Sequence, residues 1–467
     1  MYQLPLTLHS GGEPLYQQIY DSLAAQIRTG ALRSGTKLPG KRSLAAQLGV
    51  GVVTVDTAYQ MLVAEGYLEA VAKKGFFVLE VAETVERGGE DLVPIPEEPE
   101  EPPCRFDLST GSVDTDLFPF RTWGRIQKEL LYAAPELLSH GPRQGDRALR
   151  EAIGSYLATY RGVVCHPAQI VVGAGTEYLL SMVARLLQGQ AAAVENPGYR
   201  RVPKILENSG VSCRCVEIDG GGVSVEALRR SGASICCVTP SHHFPTAVTM
   251  PAGRRSQLLA WAREAEGRYL IEDDYDAEFR FDMRPLPSLQ GMGGQFGPVI
   301  YLSTFSKSLA PSIRIACMVL PPELLRRYRA AYGSYANTVS RFEQQTLCRF
   351  IEGGYFTRHL SRMRSAYKER MERLCAALEG ALGAERIELQ GRHTGLHLLL
   401  TLHEGPGEAE MVRRAAAAGI RLRGLSAYYM EGAEGCPENT VILGYAALRQ
   451  EDIEPLAETL RRAWLGK

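Results

Sequence analysis

The sequence predicts a multidomain chain in two parts, a small α+β domain at the N-terminus and a large α/β domain behind it. Three observations predict this. Charge is laid out in blocks, with residues 1–80 at a net +1, residues 81–101 at −7 and the remainder at about +5. The middle block sets eight acidic residues against Arg87 alone and adds Pro94, Pro96 and Pro99. Such a segment has little to bury and repels itself, so it reads as an extended linker. The apolar pattern also changes across it, from short helices and a hairpin before to alternating strands and helices after. The expected organisation is a domain at 1–80, a linker at 81–104 and a domain at 105–467.

Composition narrows the function classes. The 467 residues are 45% hydrophobic and 22% charged, proportions that build large cores. A net charge of −1 excludes a polybasic nucleic-acid coat as the whole function but permits a local DNA site. Apolar runs fall short of the ~18 residues that a membrane span needs, and Met1–Ser10 lacks the plan of a signal peptide. The ten cysteines are scattered without a C-x-x-C pair, which points to reduced thiols in the cytoplasm and no metal centre.

In the small domain, Leu15, Ile19, Leu23 and Ile27 recur every four residues, the stripe of one amphipathic helix. Arg42–Gly49 reads as a short helix with Ser43 near its N-cap and Gly49 as its stop. A second helix follows after a tight turn, with Val55, Ala58, Tyr59 and Leu62 inward and Gly66 at its end. Residues 67–70 and 75–79 then read as two strands joined by a turn bearing Lys73 and Lys74. Helix, turn, helix, hairpin is a winged helix-turn-helix, which lays its second helix in the major groove of duplex DNA. Lys37, Lys41 and Arg42 at the entrance, with Lys73 and Lys74 at the wing tip, are the expected phosphate contacts.

This run, including Leu38-Pro39-Gly40-Lys41-Arg42-Ser43-Leu44-Ala45 and Thr54-Val55-Asp56-Thr57-Ala58-Tyr59, resembles the GntR-type DNA-binding domain. The resemblance adds Thr54 to the DNA-contacting set. Two departures stand out: the family usually has Ser at Gly40 and Ser-Arg at Gly51-Val52, so a hydroxyl cap and a cationic contact are missing.

In the large domain, five apolar runs end in polar, Gly or Pro clusters: Gly173-Ala174-Gly175-Thr176, Glu195-Asn196-Pro197-Gly198-Tyr199, Thr239-Pro240-Ser241-His242-His243, Glu272-Asp273-Asp274-Tyr275 and Ser303-Thr304-Phe305-Ser306-Lys307. Helical stretches such as 177–187 and 254–266 lie between them. Alternating strands and helices predict a mostly parallel sheet covered on both faces, with a ligand outside the carboxyl ends of the strands. There Lys307, desolvated beside a buried strand, is suited to condensing with an aldehyde. Asp273 can hold a ring nitrogen protonated, and Tyr275 can donate to a phenolate oxygen. Gly175 and Thr176 open a helix whose N–H groups suit a phosphate, joined by Arg314, Thr304 and Ser306. These are the parts that pyridoxal 5′-phosphate requires of a protein.

The large domain looks like a fold-type I aminotransferase, and its fusion to a GntR-type head resembles the MocR/GabR family of transcriptional regulators. The resemblance implies Lys307 as the covalent anchor, Asp273 and Tyr275 at the pyridine ring and Tyr199 against its face. It places His243 in the cofactor-side loop, and Arg201 where some members contact an effector carboxylate. It further implies a head-to-tail homodimer that binds promoter DNA and a small-molecule effector.

Again the departures matter. Aminotransferases carry an Arg in a run like Arg-Leu-Gly-Phe near the end, gripping the substrate carboxylate; here the run is Ile442-Leu443-Gly444-Tyr445. His140 stands where the family has a Tyr that reaches the partner's phosphate. An apolar Ile442 cannot make the bidentate contact. The expected function is therefore a regulator sensing pyridoxal 5′-phosphate, or its adduct with an amine, in vitamin B6 or amino-acid metabolism. The alternative is a working aminotransferase with an accessory head. Arg421 and Arg423 read as exposed charges on a strand-like alternation. The arginines of residues 358–373 read as the solvated face of a helix with Leu360, Met363, Tyr367, Met371 and Leu374 inward.

Overall fold

The computed structural model describes residues 6–9, 12–81, 102–282, 286–430 and 435–466. The chain falls into two compact units, Met1–Glu101 and Pro102–Lys467. Most of the acidic stretch expected as a linker, residues 82–101, lies outside the described residues. Among the described residues no helix is long and apolar enough to cross a membrane.

The small unit contains α1 (Leu15–Arg28), α2 (Lys41–Leu48), α3 (Val52–Ala64), β1 (Leu68–Val71) and β2 (Gly75–Val78). Ile19, Leu23 and Ile27 of α1 are buried, whereas Leu15, one turn earlier, stays exposed. From α3 the expected four, Val55, Ala58, Tyr59 and Leu62, face the same core. The Tyr59 hydroxyl donates to the Pro39 carbonyl at 2.9 Å, and its ring meets the edge of Phe76 at 4.8 Å. That pair ties the helix-turn-helix to the hairpin, in which Leu68 lies opposite Val78 in antiparallel register. One local reading is corrected: α2 starts at Lys41, so Gly40 is its N-cap and Ser43 lies within the first turn. Gly49 ends it at φ +67°, the left-handed conformation that glycine adopts without penalty.

In the large unit, β3 (Phe106–Asp107) follows the unit boundary. The main sheet uses β4 (Ile170–Gly173), β5 (Ala191–Asn196), β6 (Ser212–Asp219), β7 (Gly222–Val223), β8 (Ile235–Val238), β9 (Tyr269–Asp274), β10 (Val299–Thr304) and β11 (Ala316–Val319). Their order is β4-β11-β10-β9-β8-β5-β6-β7. Strands β10, β9, β8, β5 and β6 are parallel neighbours, while β11 runs antiparallel to β10 and β4, and β7 to β6. The strands are apolar on both faces because both are covered. Ile170 and Val172 pack with Leu149, Ile153 and Leu347 on one side, and Val171 packs with Leu179 and Val183 on the other.

A second, antiparallel sheet has β12 (Ile387–Gln390), β13 (His397–Leu402), β16 (Thr440–Gly444) and β15 (Arg423–Gly424) in that order; β14 (Ile420–Arg421) pairs instead with β3. Helix Tyr355–Leu382 lies over its core with Leu360, Met363, Tyr367, Met371 and Leu374 buried, as the periodicity predicts. Its polar face is less uniformly solvated than expected. Arg370 is buried and donates to Asp114 Oδ2 at 2.5 Å and to the Ala446 carbonyl. Arg421 is likewise half-buried, 3.1 Å from Asp107 Oδ2, because β14 is clasped by β3.

Candidate functional site

The five polar clusters come together because parallel strands deliver their carboxyl ends to one edge of the sheet. In β9 and β10, Asp273 lies opposite Leu302, so Asp273 and the residues after Thr304 emerge side by side. Above that edge is a cavity of about 290 Å³. Lys307, Asp273, Tyr275, Arg314, Thr304, Ser306, Gly175, Thr176, Tyr199 and Arg201 all line it.

Lys307 Nζ donates to the carbonyls of Thr110 at 2.5 Å and Gly111 at 3.0 Å. Burial brings its ammonium down to about 8, against the pull of Asp276. The amine thus gives up its proton more easily than an exposed lysine does, and the deprotonated form is the nucleophile. Asp273 Oδ1 is enclosed without a hydrogen-bond partner, and burial, with Asp274 and Asp276 nearby, pushes its carboxyl up to about 7. A protonated ring nitrogen is the partner that such a carboxylate lacks. Next to it, Asp274 is spent on the framework, accepting from Arg161 Nε at 2.6 Å and the Tyr301 hydroxyl at 2.6 Å.

The anion end is built from a helix start and three side chains. Gly175 is the N-cap of helix Thr176–Leu186 at φ +98°, ψ 160°, a conformation reserved for glycine. A Cβ there would lie 2.6 Å from Arg314 Nη2, so the guanidinium rests directly on the helix start. Thr304 Oγ1 and Ser306 Oγ face one another at 2.8 Å. Hydroxyls, a guanidinium and a helix start lining one cavity are donors that suit a phosphate. Together with the unpartnered Asp273 and the amine of Lys307, the residues present fit pyridoxal 5′-phosphate.

Three expected residues differ in detail. The Tyr275 hydroxyl lies 3.1 Å from His242 Nδ1, which also lies 2.8 Å from Asp276 Oδ2. His243 does not line the cavity: its Nδ1 meets Thr246 Oγ1 at 2.7 Å and its Nε2 is 3.4 Å from Glu195 Oε2. Burial, with His242 adjacent, lowers it to about 3, so this imidazole is neutral. At the mouth, Arg201 pairs with Glu177 at 2.8 Å, leaving that guanidinium already engaged.

Residues missed from sequence complete the walls. Thr110, Gly111, Leu396, His397 and Phe244 line the cavity. Behind Phe244 stands Tyr428, ring to ring at 4.8 Å. Tyr428 packs on Leu399, Leu425 and Ile442, an apolar cluster in which Ile442 is buried opposite Leu399. Only Phe244 adjoins a cluster marked in the sequence, directly after His243; the others come from segments with no local motif.

On the small unit, Arg42, Lys73, Lys74 and Lys37 are exposed and Thr54 is half-buried. Lys73 takes φ +61° at the wing tip. Lys41 is less free than expected, bonded to Asp56 and placed 5.1 Å over the Phe76 ring.

Comparison with known proteins agrees with both halves. Residues 15–78 match the model of bacterial regulatory proteins of the gntR family, and residues 105–460 match aminotransferase class I and II. The chain is 36% identical to the uncharacterized HTH-type transcriptional regulator YdeL of Bacillus subtilis, over 97% of each. It is 32% identical to the probable rhizopine catabolism regulatory protein MocR of Rhizobium meliloti, over 97% of this chain and 94% of that one. To the HTH-type pyridoxine biosynthesis transcriptional regulator PdxR of Corynebacterium glutamicum it is 31% identical, over 96% of each. Among solved structures, the α-aminoadipate aminotransferase LysN of Thermus thermophilus, complexed with N-(5′-phosphopyridoxyl)-L-leucine, superposes with a TM-score of 0.67. That match has 26% identity and covers 77% of this chain and 91% of that one. With relatives above 30% identity along nearly its whole length and both halves matched, the chain belongs to the MocR-type HTH transcriptional regulators, in which a GntR winged helix is joined to a fold-type I aminotransferase domain.

Proposed function

We propose that this chain is a cytoplasmic regulator that binds promoter DNA as a head-to-tail homodimer and takes pyridoxal 5′-phosphate on Lys307 as its signal, alone or joined to a small amine. Residues 1–80 would form the DNA head, 81–104 the connector and 105–467 the sensing domain. When bound, the cofactor supplies an aldehyde that condenses with primary amines. Lys307 would hold it, Asp273 would keep its ring nitrogen protonated, Tyr275 would face its phenolate oxygen and Tyr199 its ring. Gly175, Thr176, Thr304, Ser306 and Arg314 would hold the phosphate. In the head, Lys37, Arg42, Thr54, Lys73 and Lys74 are proposed DNA contacts, with Lys41 in a supporting role. His243 would act from behind the cofactor loop, and Arg201 at the effector end.

The observation that carries this reading is the apolar burial of Ile442. A complete cofactor cradle beside a sealed carboxylate position suits recognition of the cofactor better than turnover of amino acids. The relative from Corynebacterium glutamicum is named a pyridoxine biosynthesis regulator. Carried to this chain, that name makes vitamin B6 supply the proposed target. Signalling requires that the ligand bind two arrangements of the protein with different affinity.

The test is a fluorescence-anisotropy titration of the full chain on DNA from its own upstream region, with and without pyridoxal 5′-phosphate. The expected result is an affinity that changes with the cofactor in the wild type and not in Lys307→Ala. Equal response of both proteins overturns the reading. Release of keto acid from common amino acids by the same preparation would favour the working aminotransferase instead.

A further inference from the structure

The start of α3 presents a surface unlike the rest of the small unit. Val53 is 78% exposed and Val52 45%, in a unit whose other apolar side chains of helix α3 are mostly enclosed. Gly51, the N-cap, brings no side chain at all. Thr57, the next exposed position on this face, turns its hydroxyl back to the Val53 carbonyl at 3.0 Å. Asp56, the acid on this helix, is neutralised by Lys41, which rests over Phe76. The exposed tip of α3 is therefore the methyl groups of Val52 and Val53, with the hydroxyl of half-buried Thr54 beside them and no guanidinium, amide or free carboxylate in the first turn.

The helix-turn-helix and the wing also carry exposed cations. Arg42 at the start of α2, Lys37 before it, and Lys73 and Lys74 at the wing tip are exposed cations. Exposed methyls on a unit that also exposes these cations match a surface that is anionic at its edges and apolar in its floor. The major groove is such a surface wherever thymines present their C5 methyl groups between the two phosphate rails. In a helix-turn-helix, the N-terminal residues of the second helix are the ones that reach base edges.

We infer that Val52 and Val53 read the operator through thymine C5 methyl groups, so that base recognition at the tip of this helix is apolar, beside the polar contacts proposed for Thr54, Arg42 and the wing. The inference rests on DNA binding by the small unit. It goes beyond that reading by naming the chemical group recognised. Each methyl taken out of water against a valine is expected to contribute about a three- to fivefold gain in affinity.

The experiment selects duplexes from a random pool with the full-length protein and then replaces each selected thymidine, singly, by deoxyuridine, which lacks only the methyl. Binding of wild type, Val53→Ala and Val52→Ala is measured by fluorescence anisotropy at fixed salt, with circular dichroism as the check on folding. The expected outcome is one or two positions per half-site where deoxyuridine weakens wild-type binding about three- to fivefold, at which a valine variant no longer distinguishes the two bases. Indifference of the wild type to deoxyuridine at every position overturns the inference while leaving DNA binding intact. So does equal sensitivity in wild type and both variants. Failure to select any duplex overturns DNA binding itself, and the inference with it.

Discussion

The cavity above the main sheet has two unlike sides. Toward Arg314 it is polar and densely furnished: a helix start, two facing hydroxyls, an amine near neutrality and a carboxyl with an unpartnered oxygen. Toward the second sheet it is closed by Phe244 and Leu396, backed by Tyr428, Leu425, Leu399 and Ile442. One side can hold a phosphorylated pyridine in place. Among the described residues, no cation from the other side lines the cavity, and Arg201 at the mouth is paired with Glu177. In a catalyst both sides must grip, because the reacting bonds are aligned only when the substrate is held at two ends. A sensor of the cofactor needs only the first.

The sharpest way to break this contrast is Ile442→Arg, which returns the missing cation to the apolar side. With Leu399 and Leu425 as neighbours and Arg423 opposite on β15, the new charge is buried among apolar side chains and beside another cation. The expected cost is about 3–5 kcal/mol in urea unfolding, with no gain in keto acid release from amino acids. A stable variant that acquires transamination would show that the two sides are one substitution away from equivalence.

The framework behind the polar side can be tested through its protons. Glu195, at the end of β5, accepts from Thr239 N at 3.1 Å and Oγ1 at 2.9 Å, yet its other oxygen is enclosed without a partner. Burial pushes this carboxyl up to about 8. The folded state therefore holds a proton that the unfolded state has already released above about pH 4.5. Between those values the unfolded chain binds fewer protons, so stability falls as pH rises from about 5 to 8. The cofactor-free protein is expected to lose on the order of 3–4 kcal/mol over that window through this group, and Glu195→Gln to flatten the slope in thermal melts. An unchanged slope in the variant would assign the pH dependence to the other buried acids, Glu272, Asp273 and Glu278, which burial also raises.

Much of the polar side was legible in the sequence, and little of the apolar side was. Lys307, Asp273, Gly175 and Arg314 stand at strand ends, where short motifs change character abruptly from apolar to polar. Parallel topology then brings such ends together automatically. Thr110 and Gly111 follow the acidic stretch, and Leu396 precedes β13, which His397 begins among ordinary apolar residues. Nothing local marks them, because their position depends on how the second sheet packs. Ile442 was recognisable only by comparison with a family motif, and its environment only from the folded chain. Ser43 failed as a cap for the opposite reason: a good capping residue nearby was outranked by Gly40, where the backbone turns into α2 without any side-chain bond.

Within the phosphate cradle, Gly175→Ala probes the glycine-only backbone and the contact with Arg314 at once. At φ +98° and ψ 160° an alanine is strained by about 1–3 kcal/mol, and its Cβ pushes the guanidinium off the helix start. The expected readout is a lower melting temperature together with weaker retention of pyridoxal 5′-phosphate on desalting. Loss of stability with full retention would mean that Arg314 is not part of the anion site.

The smallest effect is expected where the two sides are joined. The loop from Thr239 to Ala247 lends Thr239 to one wall and Phe244 to the other, and it closes on itself through Ala247 N to the His243 carbonyl at 2.7 Å and His243 N to the Val248 carbonyl at 2.7 Å. Ala247 sits at φ +59°, a left-handed position that an L side chain occupies at a cost. Ala247→Gly relieves that strain, while the added freedom of glycine in the unfolded chain cancels part of the gain. The net expectation is a stabilisation of about 0.5 kcal/mol, read as a small rise in melting temperature with cofactor retention unchanged. A loss of stability would show that the loop is held by the alanine methyl itself, and that the join between the two sides is made by packing rather than by its hydrogen-bonded turn.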